Sequence, residues 1–242
     1  MYISHSKYLG ILSLIFAVLF IVLAISPYDR GDWALENVLV VIYAVVLGFS
    51  YKTFPLSRIS YTFIFIFLCL HEVGAHYTYA KVPYDEFLVD VFGFSLNETM
   101  GWDRNHFDRL VHFLFGVLIS YPIRELYCRI ADSKGFWSYF FPLELTMAAS
   151  MVFELFEWGA AEIFGGDLGI AYLGTQGDVW DAHKDMALAT LGAFITMLIT
   201  LLINLKIQDN FREEWSESLK VKYRKPLGED EIARLMHKRH NK

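Results

Sequence analysis

Apolar residues run through this chain in blocks too long for the period-two alternation of a strand or the one-sided stripe of a surface helix. Six blocks approach the roughly 20 residues needed to cross a bilayer. They are Tyr8 to Ser26, Trp33 to Tyr51, Ile59 to Ala80, His106 to Tyr127, Phe136 to Phe164 and Ala182 to Lys206. The pattern predicts an all-α, polytopic membrane bundle of six transmembrane helices over residues 1–206. No Ala-x-Ala-like site precedes Pro27, so the first block reads as an uncleaved span. Residues 207–242 read as a juxtamembrane tail. Within it, DNFREEWSESLKVKYRK repeats Phe211, Trp215 and Leu219 at four-residue spacing, as in an amphipathic helix resting on an anionic leaflet.

Composition agrees with a membrane setting. Of 242 residues 55% are hydrophobic and 20% charged, which excludes a disordered or low-complexity chain. Cys69 and Cys128 are the only cysteines, so neither a disulfide framework nor a cysteine-rich metal site can be built. With the N-terminus inside, sixteen Lys and Arg fall on the inner side and five on the outer, ten of the sixteen lying between Lys206 and Lys242. That asymmetry predicts cytoplasmic termini, with the long segments Lys81 to Asn105 and Gly165 to Trp180 outside. The bilayer is the expected partner and nucleic acid is not. No repeat of broken helices of the transporter type is present.

Candidate chemistry lies in the outer halves of spans three to six. Span three carries His71, Glu72 and His76, span four Asp108, Arg109 and His112, span five Glu154 and Glu157, and span six Asp178, Asp181, Lys184 and Asp185. At 100° per residue, Asp178, Asp181 and Asp185 share an arc of about 60°, which Gly192 and Thr196 continue inward, and Glu154 and Glu157 share a similar arc with Ser150. On span four, Asp108 and His112 lie one turn apart above Gly116 and Ser120. On span three, His71, Gly74 and Thr78 face one way and Glu72, His76 and Tyr79 another, so the two histidines do not share a face. Glu36 and Glu144 sit away from the cluster and read as local pairings.

Seven carboxylates then face two fixed cations, Arg109 and Lys184. A central charge costs about 2.5 to 3.5 kcal/mol in a bilayer, so something must neutralise them. Proton uptake, a water-filled vestibule or a divalent cation each would. Carboxylates with histidine suit Zn, Mn or Fe, and Asp108, His112, Asp178, Asp181 and Asp185 are the candidate ligands. Asp178 and Asp181 equally suit helix N-caps, Arg109 an internal ion pair, and His71 or His76 an interhelical hydrogen bond.

Four motifs in order carry a family resemblance: HEVGAHYTYAKVPYD, VFGF followed by RNHFDRLVHFLFG, FELFEW, and GIAYLGTQGDVWDAHKDMALATLGA. From Ile59 to Phe194 the chain resembles the YjdF-type family of bacterial inner-membrane proteins. D-R-x-x-H-F and W-D-x-x-K-D are more weakly similar to VanZ-like membrane proteins, associated with glycopeptide resistance. The resemblance implies a multi-pass bacterial inner-membrane protein and marks His71, His76, Gln176 and Lys184 beside the carboxylates. Glu72 falls outside the motif, and Ser95 to Asp103 is extra length, read as an added outer loop. The resemblance brings no activity with it.

Three functions fit these residues. The first is a metal-assisted hydrolase or transferase acting on a lipid or lipid-linked substrate at the outer leaflet, with Glu154 or Glu157 as general base and Arg109 with the Gly174 to Gly177 backbone holding phosphate. The second is a proton-linked transporter or ligand-binding membrane protein, with the two glutamates titrating. The third is a membrane assembly or stress factor whose polar network serves packing.

Overall fold

The computed structural model describes residues 3–222 and 228–240, and every regular element among them is helical. In chain order the helices are α1 (His5–Leu23), α2 (Arg30–Ser50), α3 (Arg58–His76), α4 (Tyr84–Phe92), α5 (Leu96–Met100), α6 (Phe107–Ile130), α7 (Trp137–Phe164), α8 (Gly166–Leu173), α9 (Asp181–Ile207), α10 (Phe211–Ser218) and α11 (Glu229–His240). Six of them, α1, α2, α3, α6, α7 and α9, are long and apolar enough to cross a membrane. Short polar side chains open several. Ser4 accepts from the Lys7 amide, Asp29 from those of Gly31 and Asp32, and Ser57 from that of Ser60, satisfying donors that a helix start leaves without intrahelical partners.

The bundle is apolar outside, and inside it polar side chains lie buried beside an apolar core that includes Ile64, Phe67, Leu118 and Ile119. Phe49, Phe156 and Ile163 are exposed, whereas His71, Glu72, Asp32 and Thr146 are among the most completely buried side chains. Lipid solvates the apolar exterior, so ionisable groups are tolerated only where protein or water surrounds them.

α6 and α9 form the central pair. A Cβ on Gly116 would sit 2.0 Å from the Ala189 carbonyl oxygen, and one on Gly192 would sit 2.2 Å from that of Phe113. The two backbones therefore touch, with Ala189 and Ala193 wholly buried between them and the Thr196 hydroxyl donating to the Val117 carbonyl at 2.8 Å. This close approach fixes what α6 and α9 carry one and two turns above it.

Span three ends earlier than its apolar run. The helix stops at His76, and Thr78 and Tyr79 take left-handed φ values of 54° and 47°. The chain folds back so that the Tyr79 amide donates to the Gly74 carbonyl at 2.8 Å and its ring covers Gly74, where a Cβ would meet the ring at 2.5 Å. Thr78 and Tyr79 therefore leave the helical faces assigned to them by periodicity.

The tail also differs from its pattern. Phe211 and Trp215 of α10 pack on Tyr139 and Leu143 of α7 and on Met197 and Leu201 of α9, while Leu219 lies beyond the helix and is exposed. The Glu214 carboxylate and the Ser218 hydroxyl accept from the Gly135 and Phe136 amides. An aromatic pair that fits a leaflet fits the foot of the bundle equally well. Residues 223–225 of the tail motif lie outside the described residues.

Candidate functional site

At the end of the bundle where α3 stops and α9 starts, two polar layers stack. The upper layer is ion-paired. Arg104, in the loop before α6, makes two hydrogen bonds to Asp181, at 2.7 and 3.1 Å, and donates to the Thr175 carbonyl at 2.9 Å. Arg109 donates to Asp178 at 2.5 Å and to Asp181 at 3.0 Å, and Lys184 completes the set on Asp178 at 2.5 Å. Gln176 locks the loop by accepting from the Asn105 amide and donating to the Asn105 carbonyl. The Asn105 amide group donates to Val82, and Trp102 stacks on His106 with ring centroids 4.1 Å apart.

Charge tunes the roof. The Lys184 ammonium, then the Trp180 amide and Arg109, hold the Asp178 carboxyl well below the usual carboxylate range. Burial, with Arg109 and Arg104 adding to it, lowers the His106 imidazole.

Directly beneath, carboxylates outnumber partners. Asp108 and His112 face Asp185 across the touching α6 and α9 backbones, and one ligand atom from each lies within 4.8 Å of the others. The His112 Nε2 is 3.6 Å from Asp108 and 3.5 Å from Glu154 on α7. Oδ1 of Asp185 and Oε1 of Glu154 are buried and accept no hydrogen bond from the described residues. Buried Glu157 lies within electrostatic reach of Asp108, Glu154, Glu36 and Asp185. His183, on the opposite side of α9, is exposed and packs edge-on against Trp180.

A histidine arm joins this layer from α3. The Nε2 of His71 is 3.0 Å from the Glu36 carbonyl oxygen, which only accepts, so that nitrogen carries the proton. Nδ1 of the neutral ring is then the acceptor for the Tyr79 hydroxyl at 2.5 Å. The fold-back over Gly74 is what brings Tyr79 there. His76 lies apart, bonded through Nδ1 to the Leu23 carbonyl at 2.7 Å, where it ties α3 to α1.

The structure therefore divides the residues singled out in the sequence. Asp108, His112, Glu154, Glu157 and Asp185 converge, with His71 alongside. Asp178, Asp181, Arg109, Lys184 and Gln176 form the roof, and His76 joins neither group. Two participants escape sequence reasoning. Arg104 is a third cation beside Arg109 and Lys184, and its place in RNHFDR, five residues before Arg109, was the available signal. Glu36, expected to pair locally, is buried against His71 and within electrostatic reach of Asp108 and Glu72. Its spacing of four from Asp32, which is also buried, marks a polar face on α2.

Beside the lower layer is a cavity of about 410 Å³. His71, Tyr79, Asp108 and His112 line one end, and the rest is lined by mainly apolar side chains together with Ser150 and Tyr43.

A family model described as "Predicted membrane protein (DUF2238)" matches residues 8–206. The chain is 35% identical over 187 residues to "Inner membrane protein YjdF" of Escherichia coli (strain K12), covering 77% of this chain and 85% of that protein. No solved structure matches.

Proposed function

The chain belongs to the DUF2238 family of predicted membrane proteins and is a multi-pass protein of the inner membrane, and for it we propose metal-assisted hydrolysis or group transfer on a lipid-linked substrate. The observation that carries this reading is the convergence of Asp108, His112 and Asp185 beneath an ion-paired roof, next to an apolar cavity. Drawn to about 2.0 to 2.2 Å, two carboxylates and an imidazole make a three-ligand set that leaves a position open for substrate, a pattern used by Zn, Mn and Fe.

A bound divalent ion would polarise a substrate oxygen and acidify a water. The chain supplies the rest. Glu154, 3.5 Å from the His112 Nε2, accepts the proton of the attacking group, and Glu157 one turn away receives or returns it. Arg109 works at one remove, since its Nη2 is held by Asp178 and Asp181 and positions the roof over Asp108. With the termini cytoplasmic, as the charge partition supports, the site serves the outer leaflet.

The test uses proteoliposomes of phosphatidylglycerol and a polyprenyl diphosphate, with Mn²⁺ or with chelator. Mn²⁺-dependent product release that is lost in Asp185→Asn and Glu154→Gln is expected. Release that persists with chelator or in Asp185→Asn overturns the proposal, as does its absence from all samples.

One observation favours a second reading. Both carboxylate oxygens of Asp32 and of Glu72 are buried and find no partner among the described residues, a state that suits proton carriers in a transporter. This reading predicts pH-driven solute uptake that continues with chelator present. Chelator-sensitive turnover without uptake excludes it.

A further inference from the structure

Down the bundle from the carboxylate cluster, the cavity follows α6 by way of Phe115 and Ile119 as far as Leu126. From Asp108 to Leu126 is 18 residues, about 27 Å at 1.5 Å per residue, against a bilayer core of about 30 Å. A slot of about 410 Å³ has room for one hydrocarbon chain and not for two. Its walls are Leu39 and Tyr43 of α2 on one side and Leu145, Ala149 and Phe153 of α7 on the other.

The slot is roofed at its polar end and open along its flank. α8 packs against both α2 and α7, with Leu168 seated beside Gly31, so it bridges the two helices beyond the cavity's polar end. Farther down, the lining residues Val46, Leu145 and Leu126 are 57%, 39% and 41% exposed on the lipid-facing surface. An empty slot of this kind inside a membrane is filled by what surrounds it. Ser150, one turn below Glu154, also lines the cavity, and its buried hydroxyl finds no partner among the described residues. It is a donor placed where a chain's first polar atoms would arrive.

Taking the proposed metal-assisted reaction as its premise, we infer that this slot binds one lipid hydrocarbon chain lengthwise, admitted sideways between α2 and α7, and presents the chain's polar end to Asp108, His112 and Asp185. A water-filled vestibule would need polar walls along its length, and beyond its polar end this cavity has only the hydroxyls of Ser150 and Tyr43.

The test uses the full chain in detergent and cis-parinaric acid, a single-chain probe whose fluorescence rises on burial. Saturable binding at one probe per protein is expected. Ala149→Trp, which fills the slot midway, should weaken it at least tenfold, and Val46→Trp at the flank severalfold. Val45→Trp, on the same helix but not lining the slot, should leave it unchanged. Circular dichroism and Mn²⁺ binding, read in parallel, identify a variant that has merely misfolded, and Val46→Trp then decides. Displacement by palmitoyl lysophosphatidylglycerol or by geranylgeranyl phosphate supports the inference and tells acyl from isoprenoid chains. Asp185→Asn should lose Mn²⁺ but keep the probe, so failure of the metal reading and failure of the chain reading are separable. Absence of saturable binding, or equal binding by all three Trp variants, overturns the inference.

Discussion

The roof and the cluster beneath it both gather carboxylates, a helical turn apart on α9, yet they stand in opposite electrostatic situations. In the roof, Asp178 and Asp181 share Arg104, Arg109 and Lys184, so each carboxylate meets at least two cations. In the cluster, Asp108, Glu154, Glu157 and Asp185 surround His112, which is cationic only if protonated. A paired carboxylate stabilises the fold that holds it. An unpaired buried one is a cost unless a proton or a cation arrives, so residues of the second kind are where function is to be sought.

The largest effect should come from removing the roof's shared carboxylate. Asp181→Asn takes from the part-buried Arg104 and Arg109 the carboxylate they share, a change that costs at most the about 3 to 5 kcal/mol of breaking a fully buried pair. The thermal midpoint in detergent should fall sharply with or without metal. A change within error would mean the roof is not structural.

Forcing the central helices apart comes next. Gly116→Val places side-chain atoms where the Ala189 carbonyl already stands, and overpacking of this kind costs about 1 to 3 kcal/mol. Because the same contact sets the distance from Asp108 and His112 to Asp185, Mn²⁺ affinity should fall along with the midpoint. Lost stability with unchanged affinity would show that α6 and α9 do not position the cluster.

A smaller effect depends on pH. The folded Asp178 carboxyl titrates below its usual 3.8, so its contribution is complete above 3.8 and is lost as pH falls through the depressed folded value. The midpoint difference between the wild type and Asp178→Asn should therefore stay level from pH 7 down to about that point and then shrink. A difference that instead grows on acidification would reverse the sign assigned to this group. The smallest effect belongs to His183→Gln. An exposed residue facing away from both layers should shift stability by no more than about 0.5 kcal/mol and leave Mn²⁺ binding alone.

Much of this architecture is readable from the chain. Blocks of apolar residues announce the six spans because bilayer thickness sets their length. Gly116, Gly192 and Thr196 continue the polar stripes of α6 and α9, so helical arithmetic marks a face of each that is small enough for a close approach. That arithmetic places side chains on faces but does not say which faces meet, and for this reason Glu36 looked isolated. It also assumes a helix that continues, and Tyr79 reaches His71 because α3 does not. The division of carboxylates between roof and cluster was hidden for a related reason. Arg104 lies outside any helix, and only its reach back across the end of the bundle decides which aspartates are paired.

The central claim is that the lower layer holds a divalent cation and the upper one does not. Elemental analysis of wild type, Asp178→Asn and Asp185→Asn, each loaded with Mn²⁺ and desalted, tests it most directly, alongside the midpoint of each with and without chelator. Wild type and Asp178→Asn should retain about one ion per chain, and at a hundredfold excess over Kd the ion should add about 2.7 kcal/mol to stability. Asp185→Asn should retain none, while its metal-free midpoint stays level or rises because a buried carboxylate lacking a partner has gone. Absence of bound metal in the wild type, or loss of metal in Asp178→Asn with retention in Asp185→Asn, would contradict the account.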